Sequence, residues 1–315
     1  MRKALLVGIN HYNESPLTGC IRDAKKLEEM LRRNEDGSPN FHCRLLLSNQ
    51  HEVTRSSLYL EIQELLEHEA DIALFYFSGH GTVNNLGGYL VTQDAEAYDE
   101  GIPMDSILAM ANESRVREVI ILLDCCHSGA FGQSPPVYNE KALLREGITV
   151  ITSSRSTQAS YEEDGGGIFT SLIYNALDGG AADVLGNINA ASLYAYVDQA
   201  LGPWDQRPLF KSHVSKLSPL RRCIPDIPIE TLRSLPQYFN LPTDEYKLDP
   251  SFEKHFGHNH IENERIFRSF QSLRNARLLT PIDSPHLFYA ARDSKGCKLT
   301  ALGRYYWKLA KEELI

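Results

Sequence analysis

The sequence predicts an α/β sandwich with a mostly parallel central sheet, followed by a smaller α+β module. Two observations carry this. Residues 1–222 alternate short β-branched runs with amphipathic helical stretches. Within them, residues 71–77 (Ile72-Ala73-Leu74-Phe75-Tyr76-Phe77) and 116–123 (Val119-Ile120-Ile121-Leu122-Leu123) are almost continuously apolar. A strand of that kind is buried on both faces, as happens where helices cover a parallel sheet. Composition agrees: 315 residues, 42% hydrophobic and 23% charged, make a globular chain large enough to bury its own core, and exclude disordered, collagen-like and coiled-coil classes.

Taken in order, residues 3–9 read as a strand, 20–33 as a helix, 43–47 as a strand, and 54–68 as a helix capped by Thr54. The apolar runs at 71–77 and 116–123 and a further strand at 147–152 bring the count to at least five. Helices are expected at 168–177 and 189–201. In open sheets of this kind, functional residues collect in loops at the carboxyl ends of the strands.

Composition shifts after residue 219, with six of the fifteen prolines between Pro219 and Pro250. This predicts a domain over 1–222, then a Pro-rich linker into a second module within 223–315. In that module Ile266, Phe267, Phe270, Leu273, Leu278 and Leu279 recur at helical spacing. Strand-like runs at 286–291 and 297–300 flank a Ser294-Lys295-Gly296 turn, and a helix follows over 302–314. Helix, hairpin, helix resembles a winged helix; a plain helical cap is the alternative.

The net charge of -9 and the isoelectric point near 5.7 argue against a chain that coats nucleic acid or anionic membrane. Charge is uneven, however. Residues 1–222 carry a net -10 and residues 223–315 a net +1, and from Arg265 to Lys311 ten basic residues face only Asp283 and Asp293. Such an excess suits an anionic ligand, nucleic acid, or the acidic first domain. The apolar run after Met1-Arg2-Lys3 is too short for a signal-peptide core or a membrane span, so the expectation is a cytoplasmic chain with reduced thiols. Six cysteines, at 20, 43, 125, 126, 223 and 297, include no Cys-x-x-Cys pair of the zinc-binding kind, and no Walker loop or dinucleotide fingerprint implies a cofactor.

Two loops carry chemistry. Ser78-Gly79-His80-Gly81 follows one buried strand and Asp124-Cys125-Cys126-His127-Ser128-Gly129 follows another. A thiol attacks a carbonyl as its thiolate, and a nearby imidazole can take its proton and later protonate the leaving amine. Flanking glycines let backbone N–H groups approach a developing oxyanion.

The pair Ser-Gly-His-Gly and Asp-x-Cys-His-Ser-Gly, with the histidine 46 residues before the cysteine, resembles the caspase-like cysteine peptidases. The His-Ser-Gly ending is similar to that of metacaspases and their bacterial relatives. Gly8-Ile9-Asn10 and Gly19-Cys20-Ile21-Arg22-Asp23 extend the likeness to about residues 1–222. The resemblance implies Cys126 as nucleophile, with Cys125 its rival, His80 as base and acid, and the N–H groups of Gly81 and Cys126 as oxyanion donors. It further implies an acidic specificity pocket of Asp23, Asp124, Cys20 and Ser78 that accepts Arg or Lys before the scissile bond. Some metacaspases bind calcium beyond the histidine loop, where Asp94, Glu96, Asp99 and Glu100 lie; relatives are often self-cleaved in the stretch 131–147, which holds Lys141 and Arg145. Ser153, Ser154 and the loop 155–163 are expected to shape the substrate groove.

The leading expectation is therefore a cysteine endopeptidase cutting proteins after Arg or Lys, controlled by its C-terminal module. Such proteins resemble bacterial (antiviral) defence or cell-death effectors, and the basic excess suits an anionic, nucleotide-like activator better than nucleic acid. The alternatives are a catalytically silent caspase-fold scaffold with a nucleic-acid- or protein-binding module, and a cysteine hydrolase with a non-protein substrate.

Overall fold

The computed structural model describes residues 1–85, 87–96, 99–125, 144–153, 162–163, 166–201, 208–257 and 260–315. Two compact units divide between Ile224 and Pro225. Cys223 belongs to the core of the first, so that unit runs just past residue 222.

The first unit opens with β1 (Arg2–Gly8), α1 (Cys20–Arg32), β2 (His42–Leu47), α2 (Arg55–Glu67) and β3 (Ile72–Ser78). Thr54 caps α2 as the sequence predicts, accepting from the Ser57 N–H in a reciprocal capping box. A three-stranded antiparallel sheet of β4 (Gly81–Asn84), β5 (Gly87–Glu96) and β6 (Asp99–Pro103) follows, then α3 (Met104–Glu113), β7 (Glu118–Asp124) and β8 (Ile148–Thr152). The short pair β9 (Glu162–Glu163) and β10 (Gly166–Gly167) leads into α4 (Ile168–Asn175), and β11 (Asn187–Ile188), α5 (Ala190–Ala200), β12 (Leu209–His213) and β13 (Arg221–Arg222) complete the unit.

The main sheet has the order β12-β8-β7-β3-β1-β2, parallel except for β12 against β8. Every residue of β3 and β7 is buried, as the unbroken apolar runs require. One face packs Phe75, Phe77 and Leu123 against α2 and α3. The other packs Leu74, Tyr76 and Leu122 against α1, α4 and α5. Register sets the site: Gly8, Ser78 and Asp124 stand level across β1, β3 and β7 at their carboxyl ends. Because side chains alternate between faces, Tyr76, Ser78, Leu122 and Asp124 share the α1 face while Phe77, Leu123 and Cys125 take the other.

The second unit contains α6 (Ile229–Arg233), α7 (Leu235–Tyr238), β14 (Glu245–Lys247), α8 (Ile261–Asn275), β15 (Leu279–Pro281), α9 (Leu287–Arg292), β16 (Gly296–Leu299) and α10 (Ala301–Lys311). Its three strands form one antiparallel sheet, β14-β16-β15. Phe270, fully buried, is ringed by Tyr238, Phe239 and Tyr246. The predicted hairpin is corrected. Residues 287–292 are helical, and β16 pairs instead with β14 and with β15, the latter reached across that helix, which is not a winged-helix hairpin. His286 explains the misreading: its ring caps the helix by accepting the Phe288 N–H at 3.2 Å, and the Leu-Phe-Tyr run that reads as a strand is followed by Ala290 and Ala291, good helix formers that are buried.

Candidate active site

The end of β1 and the start of α1 meet because Gly8 lacks a side chain; a Cβ there would lie 2.5 Å from the Cys20 carbonyl oxygen. Asn10 then ties the two together. Its side chain accepts the Ile21 N–H at 3.0 Å and donates to the Thr18 carbonyl at 2.9 Å, serving as a cap for a helix whose own N-cap, Gly19, offers no side chain. Cys20 and Asp23 are thereby fixed in the first turn, both buried. The N-terminal Gly-Ile-Asn run is the clamp that aims Asp23.

Asp23 and Asp124 converge on Gly167. The Gly167 N–H donates to Asp23 Oδ2 at 2.9 Å, and a Cβ at Gly167 would fall 2.2 Å from Asp124 Oδ2. Only a glycine leaves room between the two carboxylates. Behind them, Thr170 Oγ1 donates to Asp124 Oδ2 at 2.5 Å. Its single proton being committed there, Thr170 accepts from the Tyr76 hydroxyl at 2.6 Å. Burial, aided by the Asp23 charge, pushes the Asp124 carboxyl up to about 6 against hydrogen bonds from Thr170 and Ser153 that pull it down. Ser78 is buried and hydrogen-bonded to the same Tyr76 phenol, which burial raises well above its ordinary value. Cys20 instead neighbours the buried Tyr12 phenol, whose ionisation burial suppresses.

His80 follows β3 by two residues. Its backbone N–H donates to Tyr12 Oη at 2.9 Å, and its ring lies 4.6 Å from the Tyr12 ring, centre to centre. Tyr12 is held in turn by donating to the Val91 carbonyl at 3.2 Å. Gly79 permits this approach, since a Cβ there would lie 2.5 Å from the same phenol oxygen. The His80 Nε2 sits 2.6 Å from the Ser15 carbonyl oxygen. A carbonyl only accepts, so Nε2 carries the proton and the neutral ring presents Nδ1 as its basic atom. Gly81 begins β4 beside it and lines a cleft of about 500 Å³ with His80, Tyr12, Glu14 and Ser15.

Cys126, Lys141, Ser154 and residues 155–161 lie outside the described residues. Cys125, the rival nucleophile, is 1% exposed and packed in the core on the face away from Asp124. Ser153 Oγ donates to its carbonyl at 3.3 Å. Arg145 is not the free loop residue that self-cleavage requires: its guanidinium donates to the carbonyls of Ala111, Val116 and Glu146. Three of the four carboxylates of the acidic stretch have partners of their own. Asp94 accepts the Arg55 N–H at the start of α2, Asp99 pairs with the Arg55 side chain, and Glu100 accepts from Asn84. Among the described residues no three His, Cys, Asp or Glu side chains gather as a metal site, and no helix is long and apolar enough to cross a membrane.

The sequence reading missed Tyr12, Ser15, Tyr76, Gly167 and Thr170. Tyr12 stands two residues beyond the Gly-Ile-Asn run and was open to suspicion; Ser15 acts through its backbone and leaves no signal.

A parallel sheet with one antiparallel edge, a histidine loop ending one strand and an Asp-Cys loop ending its neighbour define a caspase-type α/β/α fold. The family profile described as the caspase domain matches residues 1–218, and the chain belongs to that family of cysteine peptidases. It is 30% identical over 167 residues to metacaspase-1A of Aspergillus oryzae and 30% identical over 165 residues to metacaspase-1 of Schizosaccharomyces pombe. Each match covers 46% of this chain and 38% of the fungal protein, so the chain spans well under half the length of these curated relatives. Caspase-1 from Spodoptera frugiperda superposes with a TM-score of 0.50 at 14% identity, over 70% of this chain and 91% of that one. A protein of Geobacter sulfurreducens superposes with a TM-score of 0.52 at 18% identity, over 69% and 95%. At these identities the structural likeness establishes the fold.

Proposed function

We propose that this chain is a cysteine endopeptidase that cleaves proteins after Arg or Lys. The observation that carries the reading is the meeting of Asp23 and Asp124 at Gly167, two buried carboxylates on one face of the sheet. Two such charges repel one another when the pocket is empty and are relieved by a guanidinium or ammonium group. In the reaction, the Cys126 thiol gives its proton to His80 Nδ1 and its sulfur adds to the scissile carbonyl carbon. The resulting oxyanion is stabilised by the N–H groups of Gly81 and Cys126. Collapse breaks the C–N bond, the imidazolium protonates the departing amine, and a thioester remains. Water, deprotonated by His80, hydrolyses it and returns the thiol.

The second unit is the controlling module in this reading. Exposed Arg265 and Arg268 on α8 belong to its basic excess and suit an anionic, nucleotide-like activator, in keeping with a defence or cell-death role. The deciding experiment compares fluorogenic peptides ending in Arg, Lys or Asp with wild type and Cys126→Ala, with and without calcium. Arg or Lys turnover lost in the variant is expected; turnover of the Asp peptide would overturn the pocket assignment. Silence on all three, persisting with nucleotides or inorganic polyphosphate, would favour a scaffold.

A further inference from the structure

The buried Asp23–Asp124 pair and the His80 cleft lie on different sides of the main sheet. Asp124 and its support, Tyr76 and Thr170, belong to the α1 and α4 face, whereas the cleft is walled by β4 and β5 and floored by Tyr12, part of the core on the opposite face. His80 stands at the sheet end and lines the cleft. Resting on the endopeptidase reading, this arrangement sets the direction of the bound chain. The side chain before the scissile bond is held in the acidic pocket. The amine leaving from that bond must come within hydrogen-bond reach of the His80 ring, about 3 Å, to be protonated. The residues that follow the amine then continue past His80, and the space that His80 itself lines is the cleft.

We propose that this cleft is the binding site for the peptide segment on the leaving-group side of the cut, and that it selects polar or basic side chains there. Its volume, about 500 Å³, falls in the range of roughly 300–1,000 Å³ typical of ligand pockets. Its walls mix apolar Val91 and Ala95 with polar side chains, some of which are already set. Gln93 accepts the Val53 N–H at 2.7 Å and donates to the His11 carbonyl at 2.7 Å, so both ends of its amide are fixed before any ligand arrives. Ser15 is anchored through its carbonyl to His80, and Thr82 lines the cleft from β4. Glu14 is the charged carboxylate on this lining, and no Lys or Arg is among the described residues that form it. A preorganised wall with a lone carboxylate favours a cation over an anion while ordering little of its own.

The test uses the full chain carrying Cys126→Ala and three peptides read by fluorescence anisotropy. One ends in an Arg amide; the second continues with three residues containing Lys; the third continues with three containing Glu. The Lys-extended peptide is expected to bind at least fivefold more tightly than the Arg amide, and the Glu-extended peptide no more tightly. Glu14→Lys should invert the order of the two extended peptides, and Glu14→Gln should level them. Equal affinity for all three peptides, or an order indifferent to both Glu14 variants, would overturn the subsite while leaving the Arg-pocket reading intact. Failure of every Arg peptide to bind, the truncated one included, sinks the endopeptidase reading and this subsite with it.

Discussion

An imidazole can act as a base only if one nitrogen is committed, and at His80, the base of the proposed reaction, that commitment is made by Ser15, while Tyr12 fixes the backbone from which the ring projects. Tyr12→Phe keeps the ring packing and removes the acceptor of the His80 N–H. A net hydrogen bond of ~0.5–1.5 kcal/mol corresponds to a fall in kcat of roughly 2- to 10-fold, with KM little changed; steady-state kinetics on an Arg peptide would measure it. Asp124 offers a second prediction at this scale. Its carboxyl is raised from 3.8 to about 6 by burial, so the folded state holds a proton that the unfolded chain releases. The protonated form therefore supports the fold below pH 4, and that support is lost as pH rises through 6. Asp124→Asn should leave thermal stability unchanged near pH 4 and raise it at pH 8, by about 3 kcal/mol at most, while abolishing turnover after Arg. A variant no more stable at pH 8 than wild type would show that Asp124 carries no burial penalty. The sequence pointed to His80 through its loop at a strand end and to Asp23 and Asp124 only through the resemblance to metacaspases; the meeting of the two carboxylates at Gly167 is what the fold adds. Ser15 was not legible, because any residue supplies a carbonyl.

Elements aim these groups, and the aim depends on glycines where elements cross. Gly167, at the junction of β10 and α4, is the point where both carboxylates meet. Gly167→Ala would drive a methyl group into Asp124 Oδ2, 2.2 Å away, against a backbone held by Asp23. The expected outcome is loss of most Arg and Lys turnover, seen as a rise in KM of at least tenfold in the peptide assay; unchanged KM would mean that the carboxylates do not form the pocket. The parallel strands were readable for the reason they are buried, their unbroken apolar runs. The β4–β6 sheet was not, because Gly81, Gly87 and Gly101 and an irregular register between Val91 and Glu96 interrupt any period-two pattern. Residues 287–292 misled through two aromatics in a row, where a capping histidine and two alanines decided for helix.

At the scale of the molecule, charge does what no single contact does. Residues 1–222 hold a net -10, and two of those carboxylates, Asp23 and Asp124, are buried at the end of the sheet. A low-dielectric site of one sign focuses the field and draws oppositely charged ligands from a distance. Association with an Arg or Lys peptide should then be steered, and steering is screened once the Debye length falls from about 20 Å near 20 mM salt to about 7 Å near 200 mM. The contact inside the pocket, shielded from solvent, is screened far less. The expected result is that kcat/KM for an Arg peptide falls several-fold over that range of salt while kcat stays constant. The basic stretch from Arg265 to Lys311 gives the opposite sign for an anion: binding of inorganic polyphosphate, measured by calorimetry, should weaken over the same range, and reversing the charge of Arg265 and Arg268 together should weaken it at low salt. A kcat/KM indifferent to salt would confine recognition of the cation to Asp23 and Asp124 and remove the acidic surface from the account. A fall in kcat with constant KM would place the salt sensitivity in the chemistry at His80 instead.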